Sequence, residues 1–503
     1  MCIWASHIHG FWPLHSQQHA LVRKPYGRDQ PMANRTKSRP DLKVLPMLPH
    51  ESIYIGVDIG KFQHVAGFVS KTLLERHRHF ESCPSFIFEQ SREGFRVFVE
   101  RIRAYCPLEQ CFIVMEQTGH YHRPLLQYLL ELDISAYVMH VQCREGGMLK
   151  TDKRDALRLA NHLYNQLALG VQVTNKLQVI RRAVPPSEAA LQLKGLMRHR
   201  YELATEATQR KNKLTAICDE LFPELTQVLK NPNSSIALDL REKFPTPQAV
   251  ATASPVTLRE VRRGSRPSEV QLEQLQSLAA QSIGIKDVAR QRSLILEQGL
   301  LIKELRLMQE HTERLDQEVA QIVERSREGQ ILLSIPPISP MYAAAILATI
   351  GHIANFEDAA HLKSYFGWAP ERAQTGVSFD RTSLTKGGSR EMKKIMYLVA
   401  WNAIKTETEW ARLYKRLVPR LCSYDERTQA YKGKGKALAH VIGRLIRLIY
   451  ALLKQDDETL RHLAPGTPPP EPVLYDPELH KHHRSGHYHP LKKKLPENRI
   501  VQI

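Results

Sequence analysis

The chain predicts an α/β domain followed by a mainly helical remainder, on three observations. Short apolar runs alternate with amphipathic segments over roughly the first third. Beyond about residue 187 the pattern turns helical and charged. Turn-forming clusters then separate a smaller helical insert from a last compact stretch. IYIGVDIGKFQHVAGFV (53–69) reads as two strands around a glycine-containing turn. CFIVME (111–116) is a short apolar run closing on a carboxylate, a buried-strand pattern. RPLLQYLLEL (123–132) reads as a helix and SAYVMH (135–140) as another strand. Strands alternating with helices indicate a largely parallel core sheet. In TDKRDALRLANHLYNQLA, Thr151 is a natural N-cap for a helix.

The helical remainder carries its own punctuation. Leu301, Leu305, Met308, Thr312, Leu315, Val319 and Ile322 follow a 4-3-4-3 spacing. That seam fits either a self-associating coiled coil or an amphipathic helix packed within its own subunit. NPNSS (231–235), FPTP (244–247) and RRGSRP (262–267) mark the insert. A third region, 331–455, ends in the basic amphipathic helix GKALAHVIGRLIRLIYALLK. The expected divisions are therefore an extension at 1–50, an α/β domain at 51–180, a helical coiled-coil region at 181–330, a C-terminal domain at 331–455 and a loose basic tail at 456–503. His480, His482, His483, His487 and His489 lie in that tail, read as solvated rather than metal-binding. The first patterned segment starts near Ile53, which suggests translation from Met32 or Met47.

Composition bounds the chemistry. The 503 residues hold 71 Lys+Arg against 52 Asp+Glu, a net charge of +19, which calls for a polyanionic partner such as nucleic acid. Hydrophobic residues at 42% and charged residues at 24% exclude a wholly disordered or collagen-like chain. No apolar run approaches the ~18–20 residues of a membrane span, and no membrane partner is expected. The seven cysteines are scattered and never C-x-x-C, which argues against a zinc ribbon or disulfide framework and fits a reducing cytoplasm.

Four carboxylates stand out against this basic background. Asp58 sits within an apolar strand pattern, where an unpaired charge is costly. Glu116 closes the CFIVME strand, and Asp152 and Asp155 are three apart at a helix start, on one face. Singly, each has a plainer explanation: a phosphate-loop DxG as in actin-like ATPases, a helix cap, or a solvated helix face. Together they can hold two Mg²⁺ ions, which prefer hard oxygen ligands and stabilise both the attacking and leaving oxygens of a phosphodiester.

In this order, Asp58, Glu116 (in MEQTGHY) and Asp152 with Asp155 (in TDKRDA) resemble the DEDD-type transposases of bacterial insertion sequences, the insertion-sequence-110 group or bridge recombinases. PTPQAVATASPVTLREV looks like the insert of longer members, and SIPPISPMYAAAILATIGHIANFEDAAHLKSYFGWAP with TKGGSREMKKIMYLVAWNA looks like their C-terminal transposase domain. The resemblance covers about residues 53–455. It implies an N-terminal RuvC/RNase H-like fold whose four acidic residues bind Mg²⁺. It also implies a C-terminal hydroxyl that attacks DNA to form a covalent phospho-enzyme. Members act as homo-oligomers, here a dimer or tetramer with sites completed between protomers, and choose DNA through a structured guide RNA. Such a protein works in the cytoplasm, at the nucleoid.

Two positions depart from the family pattern. Its nucleophilic serine precedes a glycine, and in GWAPERAQTGVSFDR the matching residue is Thr375. The β-methyl of threonine crowds attack and restricts χ1, so Ser378, a catalytically impaired chain, a metal-dependent endonuclease without a covalent step and a non-catalytic nucleic-acid-binding derivative are the alternatives. The second departure is SIPPISP (334–340) in place of a glycine-bearing SIPGIG, which leaves either a DNA-contacting turn or a simple helix entry. TGVSFDRTSLTKGGSR alone reads as a polar loop; with the resemblance, Arg372, Arg381, Lys386 and Arg390 become DNA-phosphate contacts.

Overall fold

A computed structural model describes residues 51–117, 119–139, 151–171, 180–261, 267–375, 379–406, 408–464 and 466–476. The proposed start sites Met32 and Met47, Ser378 and the tail histidines lie outside the described residues. The chain divides into two compact units, Met1–Arg181 and Arg182–Ile503.

The first unit is built on a six-stranded sheet. In chain order its elements are β1 (Ile53–Ile59), β2 (Gln63–Val69), α1 (Lys71–His77), β3 (Ser85–Glu89), α2 (Arg92–Arg103), β4 (Cys111–Glu116), α3 (His122–Glu131), β5 (Ser135–Met139), α4 (Asp152–Leu167) and β6 (Ile180–Arg182). The strands lie in the order β3-β2-β1-β4-β5-β6. β1 runs parallel to β4, and β4 to β5, but β1–β2 and β2–β3 are antiparallel. The sheet is therefore mixed, not largely parallel as expected. Short apolar runs bury equally well in either orientation, so the pattern carries no direction signal.

Alternation along β1 assigns the two faces. Ile53, Ile55 and Val57 are buried with Ile113 and Met115 on one face, which also takes up Phe88 and Phe98, stacked at 4.3 Å. Tyr54, Val114 and Met139 point to the other face, where they cluster with Leu159 and Leu163 of α4 and with Ile180. Covering both faces removes the sheet's apolar surface from water, the main stabilising term.

The second unit is mainly helical. α5 (Glu188–Leu221) and α11 (Val288–Arg325) are long helices that flank α6 (Leu225–Val228), α7 (Ser235–Lys243), α8 (Pro247–Thr252), α9 (Pro255–Arg259) and α10 (Glu269–Ala280). α12 (Arg327–Leu333), α13 (Pro340–Ile350) and α14 (Ala359–Tyr365) follow, then a hairpin of β7 (Pro370–Thr375) and β8 (Phe379–Leu384). α15 (Arg390–Lys405), α16 (Glu409–Leu421), a second small hairpin of β9 (Ser423–Asp425) and β10 (Ala430–Lys432), and α17 (Gly435–Arg461) complete it.

Ion pairs show α5 and α11 to be antiparallel: Arg290 with Glu220, Lys213 with Glu297, Arg210 with Glu304 and Arg200 with Asp316. Leu301 and Leu305 of the heptad seam pack with Leu214, Ile217 and Leu221. This part of the seam is covered by a helix of the same chain, the second of the two arrangements it allowed. The insert α6–α10 has its own apolar cluster, including Leu225, Leu240, Val250, Leu258 and Leu275. The C-terminal core gathers Ile335, Leu347, Phe366, Met396, Trp410, Leu445 and Ile449. α17 runs past the boundary expected at 455, and the chain then folds back: Tyr475 is buried and stacks on Trp410, and its N–H donates to Ser334 Oγ at 2.9 Å. Among the described residues no helix is long and apolar enough to cross a membrane, and the cysteines Cys83, Cys106, Cys111, Cys218 and Cys422 are free.

Candidate active site

Three contacts fix how α4 lies on the sheet. Tyr54 meets the edge of Tyr164 at 5.3 Å between ring centroids. A Cβ on Gly56 would fall 2.1 Å from Ala156 O and 2.4 Å from Ala160 N, so the helix backbone rests directly on this glycine. Gly67, paired with Gly56 across β1–β2, is pressed in the same way by Leu157. As β1 advances from 54 to 56, its α4 partner thus steps back from 164 toward 156–160. Asp58 is the next residue on the same face, and the matching end of α4 is its first turn, with Asp152 and Asp155.

Glu116 joins them through the sheet. Val57 pairs with Met115 in the parallel β1–β4 ladder, so the next rung sets Asp58 beside Glu116, at the C-terminal ends of both strands. All four expected carboxylates therefore belong to one end of one sheet face. Asp58, Glu116 and Asp155 are half-buried and Asp152 is exposed. Among the described residues no three or more His, Cys, Asp or Glu close into a metal cage. Hard carboxylate oxygens nevertheless fit Mg²⁺, which takes a few carboxylates and keeps water and substrate phosphate in its shell. Thr151 accepts the Arg154 N–H at 3.3 Å and caps α4, as the sequence indicated.

Supporting residues here were not singled out from the sequence. Arg154 pairs with Glu81, Nη2 to Oε1 at 2.6 Å, and ties the first turn of α4 to the segment after α1. Burial pushes the Cys83 thiol up to about 11, so it is no thiolate nucleophile. His64, fully buried on β2, accepts the Gly60 N–H on Nδ1 at 3.3 Å. Its Nε2 hydrogen bonds to Gln90 Oε1, so this imidazole is neutral with the proton on Nε2. Burial depresses its proton affinity, partly offset by Gln90. Gln90 in turn donates to Tyr121 O at 3.0 Å. This chain of bonds pins the turn immediately after Asp58. The one available sequence signal was a histidine inside an apolar strand pattern, QHVAGFV.

In the second unit, the segment read in isolation as a polar loop is the β7–β8 hairpin, in register from Pro370↔Leu384 to Thr375↔Phe379. Thr375 is the last residue of β7, next to the hairpin tip. The base is held by two positive-φ glycines, Gly367 (φ 75°) and Gly388 (φ 80°). A Cβ on Gly388 would sit 2.5 Å from Gly367 Cα, so only glycine permits this approach. Thr385 N–H to Ala369 O and Ser389 N–H to Tyr365 O, each 3.0 Å, close the base, and Lys393 Nζ donates to Thr385 O at 2.8 Å. The GWAP and TKGG motifs thus anchor the base of this ribbon. Arg372 on β7, Lys386 and Arg390 are exposed, while Arg381 lies on β8 opposite Ala373. SIPPISP is a turn between α12 and α13 with Ile335 and Ile338 buried in the core.

Comparison with known proteins matches both regions. A model described as Transposase IS116/IS110/IS902 family matches residues 329–416, and a second transposase model, of the DEDD type of IS110, matches residues 55–223. The insertion element IS110 uncharacterized 43.6 kDa protein of Streptomyces coelicolor is 25% identical over 318 residues, 61% of this chain and 71% of that protein. The insertion element IS900 uncharacterized 42 kDa protein of Mycobacterium paratuberculosis is 22% identical, over 66% of this chain and 77% of its own length. The pilin gene-inverting protein of Moraxella bovis is 24% identical over 34% of this chain and 52% of its own. The four carboxylates fall within one matched region and the Thr375 hairpin within the other. The chain belongs to the IS116/IS110/IS902 family of insertion-sequence transposases and is an enzyme of the DNA transposase/recombinase type.

Proposed function

We propose that the protein cuts and rejoins DNA by Mg²⁺-assisted transesterification through a covalent intermediate on Thr375. The observation that carries this reading is the β1–β4–α4 register, which collects Asp58, Glu116, Asp152 and Asp155 at one end of one sheet face. An antiparallel β1–β2–β3 unit extended by parallel β4 and β5 supports a RuvC/RNase H-like assignment. The four carboxylates would hold two Mg²⁺ ions, whose contribution is Lewis-acid stabilisation of the attacking and leaving oxygens. Thr375 Oγ1 forms the new bond to phosphorus while the bond to the leaving oxygen breaks. The hydroxyl proton passes to solvent and the leaving oxygen takes one up. Attack by a partner strand then reverses the exchange and conserves the bond. Arg372, Arg381, Lys386 and Arg390 neutralise phosphates on either side.

The substrate in this reading is DNA at the ends and target of an insertion sequence, in the cytoplasm. The Moraxella relative is named for inverting a gene, and a cut-and-rejoin cycle is what an inversion needs. A structured guide RNA and a dimer or tetramer complete the proposal, supported by the net charge of +19 and the family resemblance. Element excision in cells tests it: Asp58→Ala, Asp152→Ala and Thr375→Ala should each lower excision by on the order of a hundredfold or more. Unchanged excision in the Asp58 or Asp152 variant refutes the metal assignment. A threonine in the nucleophile position also favours a second reading, hydrolysis without a covalent step. A denaturation-resistant protein–DNA adduct with the parent, absent with Thr375→Ala, excludes that second reading.

A further inference from the structure

α15 carries a stripe of which the proposed reaction uses only Arg390. Its buried side is Met392, Met396, Val399, Ala400 and Ala403. On the outward side Arg390, Lys394, Tyr397, Trp401 and Lys405 are all exposed. At 100° per residue these five fall within about 80° of arc, along roughly 22 Å of helix. Tyr397 is 43% and Trp401 39% exposed, uncommon for rings of this size. The two rings are nearly parallel, 8° apart with centroids at 6.1 Å. Lys405 Nζ stands 5.1 Å from the Trp401 ring centroid. Glu391 is the only acidic side chain in the helix, so the stripe is cationic as well as aromatic.

We propose that this face of α15 is a stacking platform for an unpaired DNA strand. Parallel exposed rings offer flat π-faces to bases that are not stacked in a duplex, and interleaved cations follow the phosphates. A double helix hides its base faces and gains only the charge term. Position selects DNA over RNA: α15 begins at Arg390, directly after Ser389 and Gly388, which close the base of the Thr375 hairpin. In this respect the inference rests on the hairpin's handling DNA. A strand freed by cutting would be held on the platform until it is rejoined.

The test is metal-free binding by the full-length protein, which separates it from catalysis. Labelled oligo(dT), oligo(U) and duplex DNA of equal length are titrated against the parent, Trp401→Ala, Trp401→Phe and Lys394→Ala. The expected result is that Trp401→Ala weakens oligo(dT) binding about tenfold without changing its salt dependence, and that Trp401→Phe restores most of it. Duplex binding should be unaffected by Trp401→Ala. Lys394→Ala should reduce the slope of log affinity against log salt by about 0.7. Equal oligo(dT) affinity in parent and Trp401→Ala overturns the proposal, as does tighter binding of oligo(U) than of oligo(dT). A Trp401→Ala protein that changes oligomeric state while keeping its oligo(dT) affinity also overturns it and makes the stripe a protein interface. If these results stand while Asp58→Ala excises normally, the metal assignment fails alone.

Discussion

The carboxylate end of the sheet and the Thr375 hairpin solve the same placement problem by opposite means. In the first unit the side chains stand on neighbouring parallel strands and a capped helix, and their mutual position is set by a ladder and by backbone contact at Gly56. In the second unit the hydroxyl-bearing residue ends one strand of a two-stranded ribbon whose base is close-packed, Gly367 against Gly388. In the proposed reaction, ligands that act together gain from a fixed frame, and a nucleophile that reaches a phosphorus and is later released from it gains from a ribbon anchored at its base.

Breaking the contacts one at a time sharpens the contrast. The largest expected effect is Gly56→Ala, whose methyl would meet the Ala156 carbonyl at 2.1 Å. Displacing α4 should cost about 3 kcal/mol of first-unit stability, read as a shifted denaturant midpoint, and should abolish excision with it. Gly388→Ala should cost somewhat less, about 2 kcal/mol from the left-handed backbone and the 2.5 Å approach to Gly367 Cα together, leaving the first unit's unfolding unchanged while excision falls about tenfold. If both variants lose stability in the first unit, the two regions are not independently built. The smallest effect is at His64. Its folded pKa lies below the ordinary 6.5, so the unfolded chain takes up the proton first as pH falls. The stability it contributes is fully present above about pH 6.5 and is lost as pH falls through the lower, folded value. Unfolding midpoints at neutral and mildly acidic pH should differ less in His64→Gln than in the parent.

Much of this was legible in the sequence, for identifiable reasons. β1, β4 and α4 announce themselves because apolar runs and a threonine cap are local signals, and the acidic residues are conspicuous within them. Strand direction was not legible, since IYIGVDI and QHVAGFV would bury as well in either sense. The β7–β8 hairpin was hidden because PERAQT and FDRTSL lack apolar alternation; the ladder itself and the distant Gly367–Gly388 contact hold it. Gly56 was visible but its role was not, because it depends on a helix about a hundred residues away. Of the candidate site, the register supports the grouping of the four carboxylates, while the part played by Thr375 still rests on the family resemblance.

The antiparallel pair of α5 and α11 has a mechanical consequence. One end of the pair opens into the insert, and the other packs into the C-terminal core through Leu193, Val319 and Val323. At 1.5 Å per residue, a 34-residue and a 38-residue helix make a stay on the order of 50 Å long, braced along its length by ion pairs. A two-helix stay resists bending far better than either helix alone. Anything gripped by the insert is therefore held at a distance from the core that is counted in helical turns, and removing two turns from each helix would shorten that gauge by about 11 Å.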